Sequence, residues 1–416
     1  MYVYPGLGDG GSVDLCNWMG GINEKWAEKF GMVATEIDTI AELEAYLRKA
    51  ITEDPNGNGK KDEQGLVYLQ QGYRCNAEMW LINAYVRLDD AAIFNVDEGE
   101  VWAPQVTEEY REALILMNKW YKEGLISPLA YTVANTTEMK TLVDTPECYT
   151  LSAFGGHPTL VCDSASIIGE EYTWITPLAD ETGKGGYGGL GNNITVSKTS
   201  SITSDCENPD LAFAFLDWIY ATPEVDVVGR YGEEGVYWEK VYGEYEVDGV
   251  MTKLFDKDGY PVGWRAMPGM DEWSKETKQT WHSGWGQIAG SLQYDVGMSV
   301  NGTPGYGYTA FALSYGKRGE LSYGCRLAHN AAPQPEEKYY GVVYNLDETE
   351  VYNLYWKSLK DYIWQSRAEF VTGVKDPNND ADWDAYLDEL EANGLSELME
   401  TCQEAYTRTI GSALYG

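Results

Sequence analysis

Positive charge is scarce in this chain. It has 30 lysines and arginines against 66 acidic residues, a formal net charge of −36. Such a surface repels nucleic-acid backbones and anionic membranes, so no nucleic-acid partner is expected. Histidine is scarcer still: His157, His282 and His329 lie far apart in the sequence, which argues against a multi-histidine zinc centre. The seven cysteines contain no CxxC pair. They offer no metal or redox framework, and their odd number leaves at least one thiol without a partner in the chain. No apolar run approaches the roughly 20 residues that cross a bilayer. A G-x-S-x-G nucleophile elbow is also missing. The glycine-rich "GKGGYGGLGNN", Gly183 to Asn193, has no Gly-Lys-Ser/Thr and runs into a strand-like segment; it reads as a flexible crossing between domains, not a phosphate loop.

Phenylalanine is rare too, with 8 copies against 32 tyrosines and 15 tryptophans. The aromatic content is therefore concentrated in rings with a polar handle, which suit wet recognition surfaces as well as large cores. With 416 residues, 44% of them hydrophobic, the chain is long enough for two domains with cores of their own. "TIAELEAYLRKAI" opens on a capping box, Thr39 with Glu42, and repeats apolar residues at helical spacing through Ile40, Leu43, Leu47 and Ile51. A second helix starts at Thr107, aligns Tyr110, Leu114, Met117 and Tyr121, and stops at Gly124. A third begins with Asn208 and Pro209 and presents Leu211, Phe215 and either Trp218 or Ile219 as a core stripe. In "DPNNDADWD", Asp382 is expected to cap the helix that follows. Strand-like runs such as "YTWITPL" and "NNITVSK" lie between the helices, so the class is α/β with crossovers.

One loop carries metal chemistry. "EDPNGNGKKDEQG", Glu53 to Gly65, sets Asp54, Asn56, Asn58, Lys60 and Asp62 at alternate positions, with Gly59 sixth. Calcium takes hard oxygen ligands from such a spacing, with a backbone carbonyl at the seventh place. The twelfth position, where an EF-hand needs a bidentate Glu, is Gly65. A shorter loop closed by Asp62 and Glu63 remains sensible, and so does a metal-free Asn-Gly turn. For catalysis, a glycosidase would need two facing carboxylates, and nothing local singles out a pair among the acidic residues.

Five segments, taken in order, resemble the extracellular solute-binding proteins of carbohydrate ABC importers, in particular the large lipoprotein type that includes alginate-binding proteins. They are "INEKWAEKFGM", the helix leading into "DPNGNGKKDE", "MNKWYKEGLISP", "CENPDLAFAFLDWIYATPEVDVVGRYGEEGVYWE" and "FVTGVKDPNNDADWDAYLDELEANGLSELMETCQEAYTR". The resemblance implies a two-lobed α/β fold of the periplasmic-binding-protein type II. Residues 1–6 would form a hinge strand and 7–189 lobe two. Residues 190–300 would be the remainder of lobe one, and 301–416 a return to lobe two with C-terminal helices. "YVYPG" resembles the first crossing strand, which implies that lobe one lacks its N-terminal part, together with the signal peptide and lipidated cysteine of the family.

The resemblance further implies a structural Ca2+ held by Asp54, Asn56, Asn58, the Lys60 carbonyl, Asp62 and Glu63. It also implies an oligosaccharide ligand, an ABC permease partner, a monomeric state, a place at the bacterial cell surface and no enzymatic activity. Sugars pack their C–H faces on aromatic rings and need fixed polar partners. The candidate ligand-binding residues, placed where the family's cleft loops fall, are Asn17, Trp18, Trp80, Phe154, His157, Asn192, Trp281 and Trp285. A secreted glycan hydrolase and a non-transport glycan-binding module are the competing readings.

Overall fold

The computed structural model describes residues 2–8, 19–69, 77–88, 93–145, 148–156, 171–180, 182–187, 195–221, short stretches between 233 and 266, and 337, 339 and 342–411. The strands are β1 (Tyr2–Gly8), β2 (Met19–Asn23), β3 (Gln64–Val67), β4 (Asn95–Asp97), β5 (Glu100–Trp102), β6 (Leu151–Gly156), β7 (Tyr172–Ile175) and β8 (Thr195–Ile202), followed by β9 (Trp238–Val241), β10 (Glu244–Val247), β11 (Val250–Lys253) and β12 (Gly263–Ala266). The α-helices are α1 (Glu24–Lys29), α2 (Ile40–Thr52), α3 (Ala77–Ile82), α4 (Glu108–Lys122), α5 (Thr136–Asp144), α6 (Pro209–Ala221), α7 (Leu346–Thr372), α8 (Asp380–Ala392) and α9 (Leu395–Tyr406). The α/β class read from the sequence is borne out.

The chain divides into two compact units, one of Met1–Leu15 with Gly191–Leu327 and the other of Cys16–Leu190 with Ala328–Gly416. The second unit is built on a four-stranded sheet of order β3-β6-β2-β7. β2 runs antiparallel to both β6 and β7, and β3 runs parallel to β6. α2 and α3 pack on this sheet, while α7 lies against α4, α8 and α9.

The local signals explain the helices. Thr39 accepts a hydrogen bond from the Glu42 amide and Glu42 reaches back to the Thr39 amide, so both halves of the capping box form. α2 then buries Ile40, Leu43, Tyr46, Leu47 and Ala50. Thr107 caps α4, whose Tyr110, Leu114 and Met117 enter the core, and Gly124 takes up the left-handed conformation just beyond its end. The cap of α8 differs from the sequence reading. Asn379 accepts from the Ala381 amide, and Asp382 instead accepts from the Asp376 amide. Both residues offer a capping oxygen, and the preceding loop decides which is used.

In the first unit β1 pairs antiparallel with β8, from Tyr2 opposite Ile202 to Gly8 opposite Thr195, and α6 packs on both strands. The expected core stripe of α6 is corrected. Leu211, Phe215 and Trp218 are 70%, 56% and 51% exposed, while Ala212 and Leu216 are half-buried. The helix is apolar nearly all round, so its periodicity does not select the inward face.

A polar network lies inside the second unit. Arg367 of α7 pairs with Glu78 of α3 at 3.3 Å, and their side chains are 2% and 0% exposed. The Tyr131 hydroxyl donates to Glu78 at 2.8 Å, Arg367 Nε donates to the Tyr110 hydroxyl at 3.1 Å, and the Tyr68 and Tyr131 hydroxyls share a hydrogen bond of 2.9 Å. Removing one member of a buried pair strands the other charge, so Arg367→Met is expected to cost about 3–5 kcal/mol. Glu78→Leu combined with Arg367→Met should recover part of that loss. Urea denaturation of both single variants and the double variant checks this; a loss in the double variant equal to the sum of the two single losses would mean that the pair is not coupled.

Candidate functional site: the acidic loop and the aromatic positions

The loop from Asp54 to Glu63 joins the end of α2 to β3. Its turn is made by Gly57 and Gly59, at φ +73° and +75°, a region that other residues enter at a cost. The side chains fold inward around the turn. Asp54 accepts from the amides of Asn58 at 3.0 Å and Gly59 at 2.8 Å. Asn56 Oδ1 accepts from the Asn58 amide at 2.9 Å, and Asn58 Oδ1 accepts from the Lys60 amide at 2.7 Å. Asn58 Nδ2 donates to the Asp62 carboxylate at 3.1 and 3.3 Å. Lys29 Nζ donates to the Pro55 carbonyl, and Asn56 Nδ2 donates to the Tyr149 carbonyl at 2.9 Å.

Glu63 stands apart. It is 9% exposed, and both of its carboxylate oxygens are buried without a hydrogen-bond partner. Burial first, and then the nearby charges of Asp54 and Asp62, push its carboxyl above the usual range. A buried, unpaired carboxylate is costly unless a cation or a donor meets it. No group of three or more His, Cys, Asp or Glu side chains is placed to hold a metal ion among the described residues. The loop instead combines carboxylates with Asn amides and a backbone carbonyl, a set of hard oxygens of the kind calcium takes. The donor set and the orphaned Glu63 carboxylate thus fit a hard divalent cation.

The departure from an EF-hand at the twelfth position has a steric cause. A Cβ on Gly65 would lie 2.2 Å from the Leu125 carbonyl oxygen, and that same oxygen accepts the Leu66 amide at 2.7 Å. The close approach of β3 to Leu125 leaves no room for a side chain there, so no carboxylate can be supplied from that position.

Two of the ligand candidates lie among the described residues, and the structure does not bring them together. Trp80 is buried against Gly20, where a Cβ would come within 2.3 Å of the indole. Its Nε1 is buried without a partner. Phe154 is opposite Gly21 in the β2–β6 register and packs on Tyr172 and Trp174; it is fully buried. Neighbouring residues of a strand face opposite ways, so the two rings lie on opposite faces of β2. Asn17, Trp18, His157, Asn192, Trp281 and Trp285 lie outside the described residues. Tyr149, which holds the Asn56 amide, escaped the sequence reading because it lies 93 positions away and no local motif marks it.

No protein-family model matches the chain. Among curated proteins it is 23% identical over 419 aligned positions to the fructooligosaccharide ABC transporter substrate-binding protein FusA of Streptococcus pneumoniae, covering 98% of this chain and 69% of that protein. Among solved structures, a solute-binding protein from Bifidobacterium longum infantis that binds HMO superposes with a TM-score of 0.68 at 17% identity, covering 98% of this chain and 76% of that one. The FusA EF-hand mutant in complex with fructo-nystose gives 0.64 at 18% identity, covering 99% and 77%. Alginate-binding protein AlgQ2 without calcium ion gives 0.62 at 18% identity, covering 98% and 74%. The structural matches bear out the two-lobed type II fold, and the match to FusA extends the likeness to the sequence of nearly the whole chain. The chain is therefore similar in sequence to FusA and shares the fold of these solute-binding proteins.

Proposed function

We propose that this protein is a non-enzymatic, extracellular receptor that captures an oligosaccharide and delivers it to the permease of an ABC importer, acting as a monomer at the bacterial surface. The observation that carries this reading is the similarity to FusA along 98% of the chain. The fold shared with sugar-binding neighbours supports it. So does the composition, because tyrosine and tryptophan offer both the apolar face and the polar edge that a sugar needs.

Trp18, Trp281 and Trp285 are the proposed stacking rings, with Asn17, His157 and Asn192 as their polar partners; Trp80 belongs to the same set by its position, although its ring is packed on Gly20. Phe154 belongs to the same set by its position, although in this conformation its ring is covered by its own sheet.

The acidic loop is proposed to hold one structural Ca2+. Asp54, Asn56 and Asn58 would contribute side-chain oxygens, Lys60 its carbonyl, and Asp62 and Glu63 their carboxylates. Bound there, the ion supplies positive charge where three carboxylates crowd together. Among the structural neighbours, an EF-hand mutant of FusA and a calcium-free form of AlgQ2 support this.

Two outcomes follow. A cation that binds only the native state adds stability by mass action, about 2.7 kcal/mol at a concentration one hundred times Kd. Calcium should therefore raise the melting temperature above that measured in chelator, and Asp54→Ala should abolish the rise. Glu63→Gln should melt higher than the parent in chelator, because the buried charge is gone, and lower than the parent in calcium. Melting of the parent that is the same in calcium and in chelator, with no calcium by elemental analysis, would remove the metal from the proposal. For the ligand, a glycan panel titrated by calorimetry should bind at least one oligosaccharide, and the same mixtures should develop no new reducing ends. Steady hydrolysis abolished by replacing one carboxylate would place the protein among the glycosidases.

A further inference from the structure

We infer that Tyr149 is the positioning residue through which the acidic loop is coupled to the four-stranded sheet, so that occupancy of the loop sets the rigidity of β2 and β7 as well as its own. This inference rests on the calcium reading of that loop.

Tyr149 touches the loop with its backbone and the sheet with its side chain. Its carbonyl accepts Asn56 Nδ2 at 2.9 Å, which turns Asn56 Oδ1 to the other side, where it accepts the Asn58 amide inside the loop. A hydrogen bond from outside the site thus orients a proposed ligand, as such outer partners do in metal sites generally. The Tyr149 hydroxyl accepts Asn23 Nδ2 at 2.7 Å and donates to the Glu171 carboxylate. Asn23 is fully buried and closes β2, and its Oδ1 caps α1 by accepting the Trp26 amide at 3.0 Å. Glu171 immediately precedes β7. The Tyr149 ring lies against Trp26, with centroids 5.6 Å apart, so its position is set by packing as well as by hydrogen bonds.

The other routes from the loop lead elsewhere. Chain continuity carries it into β3 at Gln64, whose amide bonds the Thr150 carbonyl and whose carbonyl accepts Ser152 Oγ of β6. Lys29 connects Pro55 to α1. Among the described residues, β2 and β7 are tied to the loop's side chains by way of Tyr149. Coupling between two sites is a free energy shared by both. A loop closed on its cation holds the Tyr149 carbonyl in place, and the hydroxyl then holds the ends of two strands.

Hydrogen exchange read by mass spectrometry over the whole chain, in calcium and in chelator, tests this. In the parent protein calcium should slow exchange in 54–64 and also in 20–23 and 172–175. In the strands the expected factor is roughly three- to tenfold, the worth of about one hydrogen bond. Tyr149→Phe removes only the hydroxyl and should keep the slowing in 54–64 while losing it in both strands. Glu171→Ala, a change at a half-buried position, should lose it in 172–175 alone, and this variant carries the test if Tyr149→Phe fails to fold. Slowing in the strands that survives both substitutions overturns the role of Tyr149. Slowing confined to 54–64 in the parent overturns the coupling and leaves the calcium reading standing. No slowing in 54–64 overturns both.

Discussion

The second unit depends on two adjacent residues without side chains. Gly20 and Gly21 sit in β2, between β6 and β7, and each lets a ring come down onto bare backbone: the Trp80 indole on one face and the Phe154 phenyl on the other, both closer than any Cβ permits. A β-strand with glycine at its centre loses side-chain packing of its own and gains entropy in the unfolded state. Here large aromatics from elsewhere in the chain offset that cost, Trp80 from a short helix and Phe154 from the neighbouring strand. The contact fixes α3 over the sheet, and α3 in turn carries Glu78 to Arg367 of α7. The C-terminal helices are thereby joined to a sheet whose strands come from the first 175 residues.

The acid excess is managed locally. Glu42, Glu138 and Glu348 are each spent at helix starts, where the free backbone N–H groups accept negative charge. Glu44 gathers Arg48, Lys119 and the Trp120 indole N–H on the surface shared by α2 and α4, contacts worth little individually. Glu63 has neither solution. Its two carboxylate oxygens are buried and meet no hydrogen-bond donor. The oxygens around it have the character that a hard cation takes.

Much of the architecture was legible because it is written locally. Thr39 with Glu42, Thr107 with its apolar stripe and Gly124 state where α2 and α4 begin, face and end, since capping bonds and helical periodicity act over a few residues. α6 shows the limit. Its Asn208-Pro209 start is readable, but a helix apolar nearly all round has too little periodicity from which to deduce what covers it, and Leu211, Phe215 and Trp218 face outward. The acidic loop was legible as a set of oxygens. The reason for its departure from the EF-hand was not, because it lies in the Leu125 carbonyl, 60 positions from Gly65.

By itself the sequence determined the α/β class, the helix boundaries marked by caps, the oxygen spacing from Asp54 to Glu63 and, through five ordered segments, a resemblance to sugar-importer receptors. Each of these is carried by neighbours in the chain or by text that can be matched along it. Only the tertiary structure decided that Trp80 and Phe154 stand on opposite faces of one strand, that Glu78 is committed to Arg367, and that Tyr149 joins Asn56 to Asn23 and Glu171. Those partners are separated by tens to hundreds of residues. Their pairing depends on strand register and on where rings find room, and neither leaves a mark on the residues beside them.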